Sequence, residues 1–162
     1  MSTRSLIGVY TNKEKGEWRG TYHHWDGYPT GLGKGLWDIY HTYYKDLLGA
    51  MVEFIIDAHP EGWSTLVGRD FTKRPTWQDP AVRYERWQNN EPQPPEAYKY
   101  RGEEAFPADQ TSDFGQEWAY VFDLTENTMT ILKCVEPWES VHYIHKATVP
   151  LTGTEPDWNK FE

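Results

Sequence analysis

Alternating apolar and polar positions predict β-hairpins at both ends of the chain. Residues 5–11 have the pattern of a strand, and residues 17–25 have that of its returning partner after a short polar turn. Residues 117–124 and 128–134 predict a second hairpin, again around a polar turn, and residues 139–151 predict a last strand. The chain is therefore expected to begin and end in antiparallel β-structure.

Between the hairpins, apolar residues return at three- and four-residue steps, which predicts helices. One helix begins near Leu32, and residues 46–62 either continue it or form a second helix that Asp46 caps. Residues 63–68 predict a short strand. Two hairpins separated by helices favour an α+β fold in which helices pack on one face of an antiparallel sheet. The length suits one domain over residues 1–162.

The middle of the chain departs from these patterns in a proline-rich excursion at about residues 69–116. It holds six of the eleven prolines, and a short helix at 79–88 is the element that it predicts. Aromatic residues recur along it, so we expect the excursion to pack against the rest of the domain.

The second strand of the first hairpin distributes aromatic side chains over both of its faces. Strict alternation places Trp18, Tyr22 and His24 on one face, and His23 and Trp25 on the other. Because both faces are partly aromatic, we expect the hairpin to be covered on both sides.

Composition and charge narrow the classes of function. A net charge of −9 argues against a general nucleic-acid binder, which needs cations to replace the counterions of phosphates. The single cysteine, Cys134, excludes an internal disulfide bond and fits a reducing compartment. No stretch has the length of a signal-peptide core or of a membrane span, so we expect a cytoplasmic protein that does not insert into membranes. No cofactor is predicted.

The segment around residues 24–33 resembles a family of small proteins that is widespread in phages and bacteria and has relatives in fungi. Its pattern is Thr-Arg near the start, a hairpin, the string Trp-Asp-Gly-Tyr-Pro, a Gly-x-Gly and a helix. The similar residues here are Thr3, Arg4, residues 24–29, Gly31 and Gly33, followed by residues 98–104 and 118–132. The resemblance covers about two thirds of the chain and implies the fold and the place of a site, but no activity. It also implies a phage-type protein that acts in the host cytoplasm. The chain departs from the family pattern in the 69–97 part of the excursion, which is a candidate for a private binding element.

The loop after the first hairpin is the first candidate site. Glycines let backbone N–H groups approach a ligand closely, and the N-terminus of the next helix favours an anion there. Aromatic rings offer stacking faces, and the cations of a lysine and an arginine complete a site for a nucleotide or another polar ligand that contains a ring. The predicted binding residues are Trp25, Asp26, Gly27, Tyr28, Gly31, Gly33, Lys34 and Arg101. The alternative, which the sequence leaves open, is that the glycines shape a tight crossing and the rings belong to the core.

Catalysis is a second hypothesis for the same loop. His24 would act as a general base, with Asp26 orienting its ring. A separate possibility is that removal of Met1 exposes Ser2 as an N-terminal nucleophile. The segment around Arg101 is either a wall of the groove or a solvated loop.

The four histidines on the predicted strands do not predict a metal site. Adjacent residues of a strand point to opposite faces, which separates His23 from His24. The same alternation separates His142 from His145 on the last predicted strand. No close spacing of metal ligands compensates, so no metal is predicted.

Three function classes follow from these observations. The first is a phage-type accessory protein that binds a small ligand, a nucleotide before others, and sequesters or cleaves a host signalling nucleotide. The second is an interaction module that inhibits a host protein. The third is a small hydrolase that uses His24 and Asp26, or Ser2.

Overall fold

The computed structural model describes residues 2–77, 91–98, 107–135 and 140–162. The strands in these residues are β1 Ser5–Asn12, β2 Glu17–His23, β3 Trp63–Thr65, β4 Thr76–Trp77, β5 Glu96–Ala97, β6 Ala108–Asp109, β7 Trp118–Asp123, β8 Thr128–Val135 and β9 His142–Pro150. The helices are α1 Lys34–Tyr43 and α2 Leu48–Val52, with π-helical turns at Pro29–Gly33 and Glu53–Asp57 and a 3-10 turn at Trp158–Phe161.

The described strands form one sheet in the order β4-β5-β3-β2-β1-β7-β8-β9, and β6 pairs with β2 outside this path. The pairs β1–β2, β7–β8 and β8–β9 are antiparallel, whereas β1 and β7 run parallel in the centre of the sheet. The predicted α+β class is confirmed, but the sheet is mixed rather than purely antiparallel. Parallel neighbours need a long crossover connection, and the helices and the excursion between β2 and β7 provide it.

One face of the sheet packs against the helices. Side chains of β1, β7 and β8 that point to this face meet the apolar side of α1, α2 and the second π-helical turn. The fully buried residues include Ile7, Val9, Leu36, Met51, Ile55, Trp63, Tyr120, Phe122, Met129 and Ile131. This layer is the main hydrophobic core.

The opposite face carries a smaller aromatic cluster that the excursion covers. Leu6 of β1 and Trp18 and Tyr22 of β2 are buried there, and the rings of Tyr98 and Phe114 pack on them. The described parts of the excursion therefore pack on the sheet as expected, and the first hairpin is covered on both faces. The predicted helix at 79–88 and the segment around Arg101 lie outside the described residues.

The helical region is more broken than its periodicity predicts. α1 begins at Lys34, directly after a π-helical turn that starts at Pro29, and α2 is only five residues long. Asp46 does not cap α2. It adopts a left-handed φ of 65° in the turn before that helix, and its N–H donates to the hydroxyl of Tyr40. In the part of the chain that the structure describes, no helix has the length and apolar character to cross a membrane.

Candidate functional site

The WDGYP loop, residues 24–33, uses its backbone donors within the chain. The N–H groups of His24 and Trp25 donate to the carbonyls of Trp63 and Ser64, which both belong to β3. Other donors of the loop bond in the same way: Gly27 N–H to Thr3, Gly31 N–H to Tyr28, and Leu32 N–H to Asp26 and Tyr28. The expected cradle of free N–H groups is therefore not formed by these amides.

The glycines of the WDGYP loop allow close packing on the chain itself. A Cβ atom at Gly27 would lie 2.6 Å from the hydroxyl of Ser5 and 2.7 Å from the carbonyl oxygen of Thr3. A Cβ at Gly33 would lie 3.2 Å from the ring of Tyr120 and 3.3 Å from that of Trp158. Of the two interpretations that the sequence left open, the tight crossing accounts for these glycines.

Three polar side chains, two in the WDGYP loop and one at the start of α1, also bind partners within the chain. Lys34 Nζ lies 3.3 Å from carboxylate oxygens of both Asp38 and Glu155. The hydroxyl of Tyr28 donates to Asp26 Oδ1 over 3.0 Å. Partial burial lowers the pKa of Lys34, but the bonds to Glu155 and Asp38 outweigh it and raise the pKa overall. The positive charge of Lys34 is thus already paired with two carboxylates of the chain.

His24 occupies a cluster of rings at the surface. Its ring stacks on that of Tyr98 with centroids 4.8 Å apart and planes inclined by 20°, and it meets the ring of Trp25 edge-on at 4.7 Å. The hydroxyl of Tyr22 lies 2.7 Å from Nδ1. Asp26 forms no hydrogen bond with His24 among the described residues, so the predicted pairing of these two side chains is not formed. Tyr22 orients the imidazole in its place.

Arg4 is the residue that sequence reasoning left without a role. Its exposed guanidinium lies 3.5 Å from the carbonyl of Phe114, and a Cβ atom at Gly115 would lie 2.8 Å from Nη1. Partial burial, followed by the positive charge of Arg4, lowers the pKa of His24. Two signals in the sequence pointed to it: the Thr3-Arg4 pair is part of the pattern that resembles the phage and bacterial family, and the predicted hairpin brings the start of β1 beside the end of β2.

We call Arg4, His24, Trp25 and Tyr98 the His24 surface. The side chain of Trp25 is 39% exposed, which is unusual for so large an apolar ring. β2 ends at His23, so strand alternation no longer separates Trp25 from His24 as the sequence pattern suggested. The surface therefore combines a cation, an imidazole whose lowered pKa favours its neutral form, and an exposed indole.

Three further histidines lie on strands away from the His24 surface. His23 is fully buried, its Nε2 accepts the N–H of Leu66 over 3.1 Å, and burial lowers its pKa to about 3. His142 and His145 are on β9, where His145 Nε2 lies 2.8 Å from the hydroxyl of Thr148. Among residues 2–77, 91–98, 107–135 and 140–162, no three His, Cys, Asp or Glu side chains are grouped closely enough to hold a metal ion.

Comparisons with family models, with curated proteins and with solved structures find no match to this chain. The function is therefore inferred from the geometry of the described residues.

Proposed function

We propose that the His24 surface binds a small anionic ligand that contains an aromatic ring, with nucleotides as the first class. The observation that carries this proposal is the exposed ring of Trp25 edge-on to His24, within the electrostatic influence of Arg4. In this proposal the ligand contacts side chains, and not the backbone N–H groups of the WDGYP loop that the sequence suggested.

Stacking is the first contribution that the surface offers. A nucleobase stacked on an aromatic side chain gains about 1–3 kcal/mol, as measured by alanine substitution of the ring. The indole of Trp25 leaves 39% of its surface exposed, and the stack on Tyr98 limits the movement of the neighbouring imidazole. A ring-bearing ligand would cover apolar surface that the fold leaves open to water.

Charge is the second contribution. The chain carries a net charge of −9, so an anion approaches it favourably only where a cation is locally uncompensated. Lys34 is paired with two carboxylates, whereas Arg4 has no ion-pair partner among the described residues. A guanidinium binds two phosphate oxygens in parallel, which adds geometric specificity to the attraction. Arg4 is therefore the proposed phosphate ligand, and Arg101 stays a prediction from the sequence.

The contacts favour binding without turnover. The hydroxyl of Tyr22 and Nδ1 of His24 share a hydrogen bond, and in the tautomer in which the hydroxyl donates, the neutral imidazole carries its proton on Nε2 and can donate to a ligand. A general base needs the opposite arrangement, with an acceptor nitrogen towards the substrate and a carboxylate that orients the ring. Asp26 is bonded to Tyr28 instead. For a phage-type accessory protein, which the family resemblance implies, this favours sequestration of a host signalling nucleotide over its cleavage.

Isothermal titration calorimetry tests the proposal with AMP, GMP, their 3′,5′-cyclic forms, cyclic di-AMP, cyclic di-GMP and ADP-ribose. We expect at least one of them to bind, and both Arg4→Gln and Trp25→Ala to weaken its affinity by about tenfold or more. Lys15→Gln removes an exposed cation from the hairpin turn, and Leu47→Ala removes a side chain that is 59% exposed. These controls should bind like the wild type. Equal losses in controls and site variants, or no binding by any member, would refute the proposal.

A further inference from the structure

We propose that a cleft at the other end of β1 binds the ring of a neutral sugar. The threonine cleft, as we name it, has a volume of about 510 Å³ and lies beside the β7–β8 turn. Its principal lining residues are Tyr10, Lys13, Asp123, Glu126, Thr128 and Thr148. β1 spans eight residues from Ser5 to Asn12, so about 25 Å of strand separates this cleft from the His24 surface.

Two buried hydroxyl groups on β8 are the first observation. The Oγ1 atoms of Thr128 and Thr130 are buried and have no hydrogen-bond partner in the described chain. A buried polar group without a partner loses its hydrogen bonds to water and gains none in return, so native structures seldom contain one without a reason. Thr128 lines the cleft, and we infer that a bound ligand draws its buried hydroxyl to the cleft surface by rotation about the Cα–Cβ bond. A ligand with hydroxyl groups would complete its hydrogen bonding.

An ion pair with fixed geometry is the second observation. Lys13 Nζ lies 3.1 Å from Asp123 Oδ2, and Asp123 Oδ1 accepts the N–H groups of Thr125 and Glu126 over 2.9 and 3.1 Å. Burial raises the pKa of Asp123, but the bonds from Glu126, Lys13 and Thr125 outweigh it and lower the pKa overall. The side chain of Asp123 is only 9% exposed, so this carboxylate is held ionised in a defined position.

The charges of the cleft select the class of ligand. Lys13 contributes one positive charge, and Asp123 and Glu126 contribute two negative charges on a chain that is already acidic. An anion is repelled by this lining, whereas a neutral polyol offers hydroxyl groups that donate to carboxylates and accept from the ammonium group. Tyr10 adds an aromatic ring to the lining, and Lys13 Nζ lies 5.9 Å from its centroid. A pyranose presents both C–H groups for a ring and hydroxyl groups for polar partners.

NMR titration with methyl-labelled threonine tests this inference. The probes are methyl α-D-glucopyranoside, methyl β-D-galactopyranoside and methyl α-D-mannopyranoside, with inorganic phosphate as the anionic comparison. We expect at least one pyranoside to shift the methyl signals of Thr128 and Thr148 in a saturable way, and phosphate to leave them unchanged. The absence of a saturable shift with all three pyranosides, or a shift with phosphate, would overturn the proposal.

Thr128→Val provides a matched variant, because valine has the shape of threonine without the hydroxyl. It should weaken pyranoside binding at least fivefold while keeping the protein folded, since it removes a polar group that has no partner. Thr42→Val, an exposed threonine on α1, is the control and should bind like the wild type. Unchanged binding by Thr128→Val would contradict the inference, and Arg4→Gln should leave pyranoside binding intact.

Discussion

Single residues of the WDGYP loop show why glycine occurs there. Gly27 lies against Ser5 and Thr3, and the carbonyl of Gly27 accepts a hydrogen bond from the hydroxyl of Tyr120. The sequence correctly places glycines and a turn here, but it cannot tell a close approach to a ligand from a close approach to the chain's own backbone. Only the position of Ser5, which is distant in sequence, decides between the two.

Gly27→Ala should therefore lower the free energy of unfolding by about 1–3 kcal/mol, because the added methyl group overpacks a rigid contact. Gly49→Ala is the matched control. A Cβ atom there meets no heavy atom within 4 Å, and alanine favours a helix, so stability should stay equal or rise by up to about 1 kcal/mol. Urea denaturation measures both variants. Similar stability of Gly27→Ala and the wild type would contradict this account of the loop.

His23 gives a second prediction at the residue scale. Its pKa of about 3 in the folded protein lies well below the ordinary value of 6.5. Between these two values the unfolded chain binds a proton that the folded chain does not, so stability is present above pH 6.5 and falls as the pH decreases. His23 alone should remove about 1.4 kcal/mol of stability per pH unit in that window.

Urea denaturation between pH 7 and about 5 tests this slope, because most carboxylates titrate below that range. The pKa of His24 is also lowered, so the experiment is made in a His24→Gln background. An NMR titration of the His23 ring is the independent measurement and should show a neutral imidazole throughout. A ring that protonates near pH 6.5, or stability that does not change with pH, would refute the buried neutral state.

At the scale of elements, the hairpin strands were predictable and the helices less so. β1, β7 and β8 fall within one residue of the predicted ranges, since alternation is a local signal. The π-helical turn before α1 was not predictable, because it depends on contacts with Glu162 and Trp158 at the other end of the chain. The parallel pairing of β1 with β7 has no local signal either, since each strand has the same pattern in both directions.

Hydrogen exchange tests the predicted difference between central and edge strands. β1 and β7 are central in the sheet, whereas β9 lies at its end with most side chains exposed. We expect the hydrogen-bonded amides of β1 and β7 to exchange at least a hundredfold more slowly than those of β9, because only global unfolding opens the centre. Uniform protection of all three strands, or faster exchange in β7 than in β9, would contradict this topology.

At the scale of the whole molecule, the proposed nucleotide site is built by segments that are distant in sequence. The His24 surface combines Arg4 from before β1, His24 and Trp25 from after β2, and Tyr98 from the excursion. Sequence analysis located Trp25 and His24, because an unusual string marks them. It assigned no role to Arg4, although the antiparallel hairpin that it predicted brings the residue before β1 beside the residue after β2. It paired His24 with Asp26 because a carboxylate commonly orients a general base. Tyr22, which is equally close in sequence and shares a strand face with His24, is the residue that contacts the ring.

Two-dimensional NMR of the labelled wild-type protein during nucleotide titration shows directly whether the His24 surface is the binding site. The indole N–H signal of Trp25, assigned with Trp25→Phe, and the ring signals of His24 report on the His24 surface itself. We predict that one nucleotide of the calorimetric panel shifts both sets of signals with the same saturation curve, and that Arg4→Gln weakens that curve by about tenfold. Unchanged Trp25 and His24 signals at saturating concentrations of every panel member would contradict the account.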